Sequence, residues 1–325
     1  MSTIYVSIAS YRDRFLQSTI DSLFANASNP DDISVGCFVQ IIPDGNDQLL
    51  CLVTDDYGGR VKQRVQIAGS VFSVTECRNN AYEWITKEHR YFLQCDAHTR
   101  FDPGWDDHLV NCMSKSKSTK TLLSTYCGGW TIGSDGCEKY QYPPVGPTES
   151  FNYATYCTDY TIAAFASTGE LVCSLETRPV VGEINESWHL SGGFVFGDSE
   201  YPLSHPQNEH IVFWGEELWN SLVAFTNGWN VYAPAYVPIR HLYPDSMGPE
   251  LNEEIYGSRD GAPRIWRDFT ETWIPAKDRS GEKIIRAILY GDPDLPLGKD
   301  RTLAELSDLF GCDITSLMER LRMTK

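Results

Sequence analysis

The feature that most constrains this chain is a repeated switch between two hydrophobic periods over its first hundred residues. Thr3 to Ser10 reads as a buried strand. Leu16, Ile20, Leu23 and Phe24 then recur at helical spacing, and Asn29-Pro30-Asp31 closes that run. Residues 33–42 are β-rich and end in the turn signal Pro43-Asp44-Gly45-Asn46. Residues 61–74 predict a further strand, and residues 76–89 a helix through Ala81, Trp84 and Ile85. Tyr91 to Cys95 is a short apolar strand that delivers Asp96. Alternation of this kind predicts an α/β fold, with a mainly parallel or mixed central sheet flanked by helices. Ligands of such sheets bind at the carboxyl ends of the strands, where Asp96 stands.

The later chain is organised differently. Residues 120–205 are rich in Gly, Thr, Ser, Tyr and Pro and read as strands and long loops. Trp214 to Asn227 predicts an amphipathic helix closed by Gly228, and Val231 to Ile239 a last strand leading into Arg240-His241. From Pro249 the chain turns polar, then helical over 303–310 and 314–321. These signals divide the chain into a main domain, 1–248, and a largely helical C-terminal extension, 249–325, packed on it.

Composition excludes several classes. Of 325 residues, ten are cysteines, scattered and without a CxxC pair, which predicts reduced structural thiols. The mean hydropathy is -0.32, and no apolar run approaches the roughly 18–20 residues that span a bilayer. Met1-Ser2-Thr3 runs straight into strand-like sequence without a leader pattern, so a cytoplasmic location and no membrane partner are expected. The net charge is -17, and Lys115, Lys117 and Lys120 are the nearest thing to a basic cluster. That balance counts against strong non-specific binding of nucleic acid.

Asp96-Ala97-His98 carries the chemical signal. Residues two apart in an extended chain share a face, so Asp96 and His98 can converge on one divalent cation. A carboxylate oxygen and an imidazole nitrogen suit Mn²⁺, or another cation such as Mg²⁺. Trp214-Gly215-Glu216-Glu217 is the second signal. Its glycine allows close backbone approach, and paired carboxylates at a helix start can bind sugar hydroxyls.

Ser7 to Asp13, Thr19 to Phe24, Val35 to Gln40, Leu93 to Phe101 with Trp105-Asp106, and Gly298 to Leu303 with Gly311-Cys312-Asp313 resemble the cytoplasmic polypeptide (hydroxyproline) N-acetylglucosaminyltransferases. The layout is similar, more distantly, to the polypeptide N-acetylgalactosaminyltransferases. The resemblance covers nearly the whole chain and is weakest over 125–185. It implies a GT-A fold with a Rossmann-like sheet, a UDP-sugar donor, retaining transfer and a hydroxyl acceptor. The acceptor is expected to be a polypeptide, with modified DNA bases or a glycan as alternatives. A nucleotide-sugar-binding protein without turnover is a further alternative, as is a hydrolase of nucleotide sugars.

The resemblance also implies roles. His241 matches a third metal ligand beside Asp96 and His98. Glu216 and Glu217 match an acidic motif on the floor of the site, with Glu216 the first choice. Gly192 and Gly193, in Ser191-Gly192-Gly193-Phe194, match a loop along the donor sugar. Arg78 matches an arginine that meets the nucleotide, although Cys77 stands where the family usually has alanine. Ser7, Ser10, Tyr11 and Arg12 fall where uridine would lie, and Asp44 is placed to bond uracil. The remaining histidines, His89, His108, His189, His205 and His210, are expected to be structural or solvated.

Overall fold

Two near-continuous apolar runs set the centre of the molecule. Strands β1 (Ile4–Tyr11) and β2 (Ile33–Ile41) are buried almost throughout, as expected of parallel strands covered on both faces. The computed structural model describes residues 3–43, 46–68, 73–133, 135–140, 182–213, 215–243, 280–311 and 313–323, and the backbone of four short strands between 153 and 179.

In chain order β1 is followed by α1 (Leu16–Asn26), β2, α2 (Asn46–Leu50), β3 (Val61–Ile67), α3 (Val74–Ala81) and β4 (Tyr91–Asp96). Next come β5 (Thr99–Phe101), α4 (Trp105–Lys115), β6 (Thr121–Leu123), β7 (Gly128–Ile132) and β8 (Glu138–Tyr140). Short strands β9 (Tyr153–Ala154), β10 (Thr161–Phe165), β11 (Leu171–Ser174) and β12 (Arg178–Pro179) precede β13 (Ile184–Ser187), β14 (Phe194–Asp198), α5 (Glu200–Ser204) and α6 (Glu216–Thr226). The chain continues through β15 (Asn230–Pro234), β16 (Ile239–Leu242), α7 (Ser280–Tyr290), α8 (Leu303–Phe310) and α9 (Ile314–Met323).

The central sheet has eight strands in the order β13-β15-β6-β14-β4-β1-β2-β3. Its β4-β1-β2-β3 half is parallel, whereas β14 runs antiparallel to both β4 and β6. A second sheet, β5-β16-β7-β8, lies beyond the carboxyl end of β4. Helices α1 and α4 cover one face, where Ile4, Val6 and Ile8 meet Leu16, Ile20, Leu23, Trp105 and Leu109. The indole of Trp105 donates to Leu23 O at 2.9 Å, so this large buried ring leaves no orphaned donor. The other face buries Tyr5, Phe92 and Val195 with Tyr82, Ala224 and Trp229.

Several expectations change. The run at 61–74 is strand only to Ile67, and Val74 opens a helix whose cap is the Ser73 hydroxyl, an acceptor for Glu76 N–H. That helix stops at Ala81, well short of residue 89. The last strand is two strands, interrupted after Pro234, and His241 sits inside the second of them. Helix α6 begins at Glu216, and Trp214 lies outside the described residues. The boundary at 248/249 also lies outside them. Helices α7 to α9 pack on α6, where Leu218, Trp219 and Leu222 meet Ile284, Ile288, Leu306 and Met318. Among the described residues, no helix is long and apolar enough to cross a membrane.

Gly36 in β2 marks a close approach. A Cβ there would sit 1.7 Å from the Tyr5 hydroxyl oxygen and 2.8 Å from the Trp84 ring. Gly36→Ala is expected to cost about 1–3 kcal/mol of overpacking. Adding Tyr5→Phe should return part of that loss. Urea denaturation of the single and double variants checks this.

Candidate active site

The site forms where the two sheets meet. Strand β4 carries Asp96 out of the central sheet, and the chain turns at once through Ala97 and His98 into β5. Two hydroxyls hold that turn. Thr99 Oγ1 donates to Asp96 O at 2.8 Å, and Thr19 Oγ1 donates to Ala97 O at 2.7 Å. Asp96 and His98 therefore converge through a tight turn, and not by sharing a face of an extended strand. Strand β5 pairs antiparallel with β16 so that Thr99 faces His241. This pairing brings His241 across 145 residues of chain to place Nε2 3.0 Å from Asp96 Oδ2. His98 Nε2 lies 2.9 Å from His241 Nε2. One donor atom from each of the three residues falls within 4.8 Å of the others.

The electrostatics are those of a partly buried cluster. Burial pushes the Asp96 carboxyl up, but the His241 hydrogen bond and the charges of His241, His98 and Arg78 hold it well below the usual carboxylate range. Burial pulls both imidazoles down. Asp13 overcomes this for His98, which ends raised, whereas burial and the neighbouring His98 leave His241 lowered. Asp13 Oδ2 lies 2.7 Å from His98 Nδ1. The sequence expectations did not single out Asp13, whose only signal was its place in the turn just after β1.

Arg78 and the glutamates form the inner wall. The Arg78 guanidinium pairs with Glu216, donates to Gly192 O at 3.1 Å and comes within 3.7 Å of Asp96 Oδ1. Burial opposes the charge on Arg78, but Glu216 and Asp96 hold the guanidinium firmly protonated. Burial pushes Glu216 up to about 7 against the pull of Arg78, with Glu217 and Asp96 adding like charge. At Gly192 and Gly193 the side chains of this wall leave little room for anything larger. A Cβ on Gly192 would lie 2.7 Å from Glu216 Oε1 and 2.9 Å from Arg78 Nη2, and one on Gly193 3.2 Å from Asp96 Oδ2.

Glu217 faces a different set of groups. It accepts from Gly192 N–H at 2.6 Å and from the Tyr126 hydroxyl at 3.0 Å, with His189 Nε2 at 3.7 Å. His189, expected to be structural, is thus a neighbour of the site, brought there by the strand and turn that precede Gly192. Burial raises the Glu217 carboxyl, but His189 and these hydrogen bonds leave it lowered from 4.5. A folded value below the unfolded one stabilises above pH 4.5 and is lost as pH falls through the folded value. Glu217→Gln is expected to flatten that acid limb, read as Tm between about pH 3 and pH 6.

The residues expected around uridine divide. Tyr11 ends β1 and Arg12 follows it at φ 50°. The Arg12 guanidinium pairs with Asp47 on α2, with Nη2 donating to Oδ1 at 3.1 Å. That buried pair ties the turn after β1 to α2. Ser7 is fully buried at mid-strand, opposite Gln94. Ser10 is buried one residue before the strand end, with no hydroxyl partner among the described residues. Asp44 lies outside them.

The mixed α/β sheet, with its polar cluster at a strand end, is the architecture of the GT-A glycosyltransferases. The chain belongs to the Glycosyltransferase (GlcNAc) family, whose profile matches residues 3–84 and 77–305. No match to the chain was found among curated protein sequences. Its fold is similar to that of GalNAc-T7 in the crystal structure with UDP, GalNAc and Mn²⁺, at a TM-score of 0.51 and 12% identity. The match covers 98% of this chain and 56% of that one, so the chain spans little more than half the length of that structure. Residues 1-349 of TarS from S. aureus match over 88% of this chain and 78% of theirs, at 12% identity and a TM-score of 0.45.

Proposed function

We propose that the protein is a metal-dependent, retaining glycosyltransferase. It moves a sugar, GlcNAc first among the candidates, from a UDP-sugar to a hydroxyl of a polypeptide. The observation that carries this reading is the convergence of Asp96, His98 and His241 at the mouth of the central sheet. One carboxylate oxygen and two imidazole nitrogens form a donor set that fits Mn²⁺ or Mg²⁺, and GalNAc-T7, on the same fold, was crystallised with Mn²⁺ and UDP. When bound, the cation would neutralise the charge that develops on a departing diphosphate.

The chain's own residues supply the rest. Arg78 lies beside the cluster as a fixed cation suited to phosphate oxygens. Gly192 and Gly193 let backbone approach the donor sugar. Glu216 and Glu217 shape the floor, and Glu217 holds the Gly192 loop in place. Both glutamates are engaged, Glu216 by Arg78 and Glu217 by Gly192 and Tyr126. Neither stands free to attack a sugar carbon, which favours same-face attack by the acceptor hydroxyl. We take residues 1–248 as the catalytic unit and 249–325 as its extension. A cytoplasmic setting is supported by the free thiols of the seven described cysteines.

A panel of UDP-sugars tests the reading, with UDP release measured in Mn²⁺, in Mg²⁺ and in chelator. Release from one UDP-sugar that needs a divalent cation and rises with a polypeptide acceptor is the expected result. Donor turnover unaffected by chelator would sink the metal-dependent mechanism.

A further inference from the structure

Asp13 lies on the short turn between β1 and α1 and is only 8% exposed. Both of its oxygens are used. Oδ1 accepts the Phe15 backbone N–H at 2.8 Å, which fixes the plane of the carboxylate, and Oδ2 faces His98 Nδ1 at 2.7 Å. An ionised carboxylate can only accept, so Nδ1 of His98 must carry the hydrogen. The lone pair of the neutral ring is then on Nε2. That is the atom directed at His241 Nε2, 2.9 Å away, and into the cluster with Asp96. His241 has no such anchor. Its Nδ1 is buried with no hydrogen-bond partner among the described residues.

We propose that Asp13 is a positioning residue that locks His98 in the Nδ1–H tautomer and so keeps Nε2 open to a divalent cation. The inference rests on the cation site proposed above. The carboxylate acts through the imidazole and does not touch the donor. It also places a second carboxylate beside the cluster that contains Asp96. Outer partners of this kind typically set metal affinity by about 10–100-fold.

Asp13→Asn separates this role from folding. Its side-chain oxygen can still accept from Phe15 N–H, while its amide turns a donor toward His98 Nδ1 and drives the ring hydrogen to Nε2. Asp13→Ser is the second variant. A serine hydroxyl can hold the turn but is too short to reach His98. Two measurements decide, neither of which needs turnover. Nitrogen NMR of labelled histidine, without metal at about pH 8.5, should show His98 as Nδ1–H in the wild-type protein and as Nε2–H in Asp13→Asn. Calorimetric titration with Mn²⁺ alone should show affinity falling about 10–100-fold in both variants. Unchanged Mn²⁺ affinity and an unchanged His98 tautomer would overturn the role of Asp13 and leave the cation site standing. A wild-type protein that binds no Mn²⁺ would overturn the cation site itself, and the tautomer would still decide whether Asp13 sets the ring.

Discussion

Asp96→Asn is expected to lower UDP release by about a thousandfold, and His98→Ala and His241→Ala are expected to act in the same direction. The size follows from what Asp96 supplies. In the proposed cation site its carboxylate would be the one negative ligand of the three, and His241 and Arg78 both lean on it, at 3.0 and 3.7 Å. Asn keeps the shape but removes the charge that would hold a dication against a diphosphate. Loss of one well-placed electrostatic partner of a developing charge typically costs about 10²–10³ in rate. Loss of a metal ligand compounds it by emptying the site. Mn²⁺ dependence of UDP release, with circular dichroism to confirm folding, measures the effect. Folded Asp96→Asn and His98→Ala variants with rates near wild type would refute the metal site. The structure gives reason to expect folding: Asp96 and His98 are partly exposed, and the turn between them is held by Thr19 and Thr99.

Arg78→Met is expected to destabilise the protein by about 3–5 kcal/mol and to abolish transfer. The Arg78 side chain is 6% exposed and its partner Glu216 10% exposed, so this is a buried pair. Removing the guanidinium leaves Glu216 facing Asp96 and Glu217 with no cation between them. It also orphans the Gly192 carbonyl, which would then rely on Gln94 Nε2 at 2.7 Å. Because burial already pushes Glu216 up to about 7 and loss of Arg78 raises it further, the cost is that of a buried carboxyl left without its partner, and Glu216→Gln in the same chain should recover part of the stability and none of the activity. A double-mutant cycle by urea denaturation reads the coupling. Strictly additive losses would mean that Arg78 and Glu216 do not act as a pair.

The parts of this fold legible in sequence are those governed by local periodicity. Strands β1, β2 and β4 are apolar runs whose ends carry turn residues or a charge, and they lie where the sequence predicts them. The helix expected to reach residue 89 stops at Ala81 because tertiary packing overrides a local pattern. Trp84 and Ile85 are apolar at helical spacing, yet they serve the core from a turn. The site was legible where a motif is contiguous, as in Asp96-Ala97-His98 and Gly215-Glu216-Glu217. Pairings made by the fold were not. The resemblance places Arg12 near uridine, and nothing local announces its pairing with Asp47 across a loop. The resemblance places Ser7 near uridine as well, and a strand's alternation does not reveal how deep in the sheet it sits. Asp13 and His189 were passed over for a related reason, since each gains its meaning from a partner far away in sequence.

The pairing of β16 with β5 also bears on when the protein acquires its activity. During synthesis, β1 to β4 emerge first and can pair with one another, whereas β6 must wait for β14 and β15, and the cation cluster waits for His241. The nascent chain therefore carries Asp96 and His98 as an incomplete pair while most of its length is being made. A transferase assembled in this order has no complete cluster of Asp96, His98 and His241 until β16 has left the ribosome.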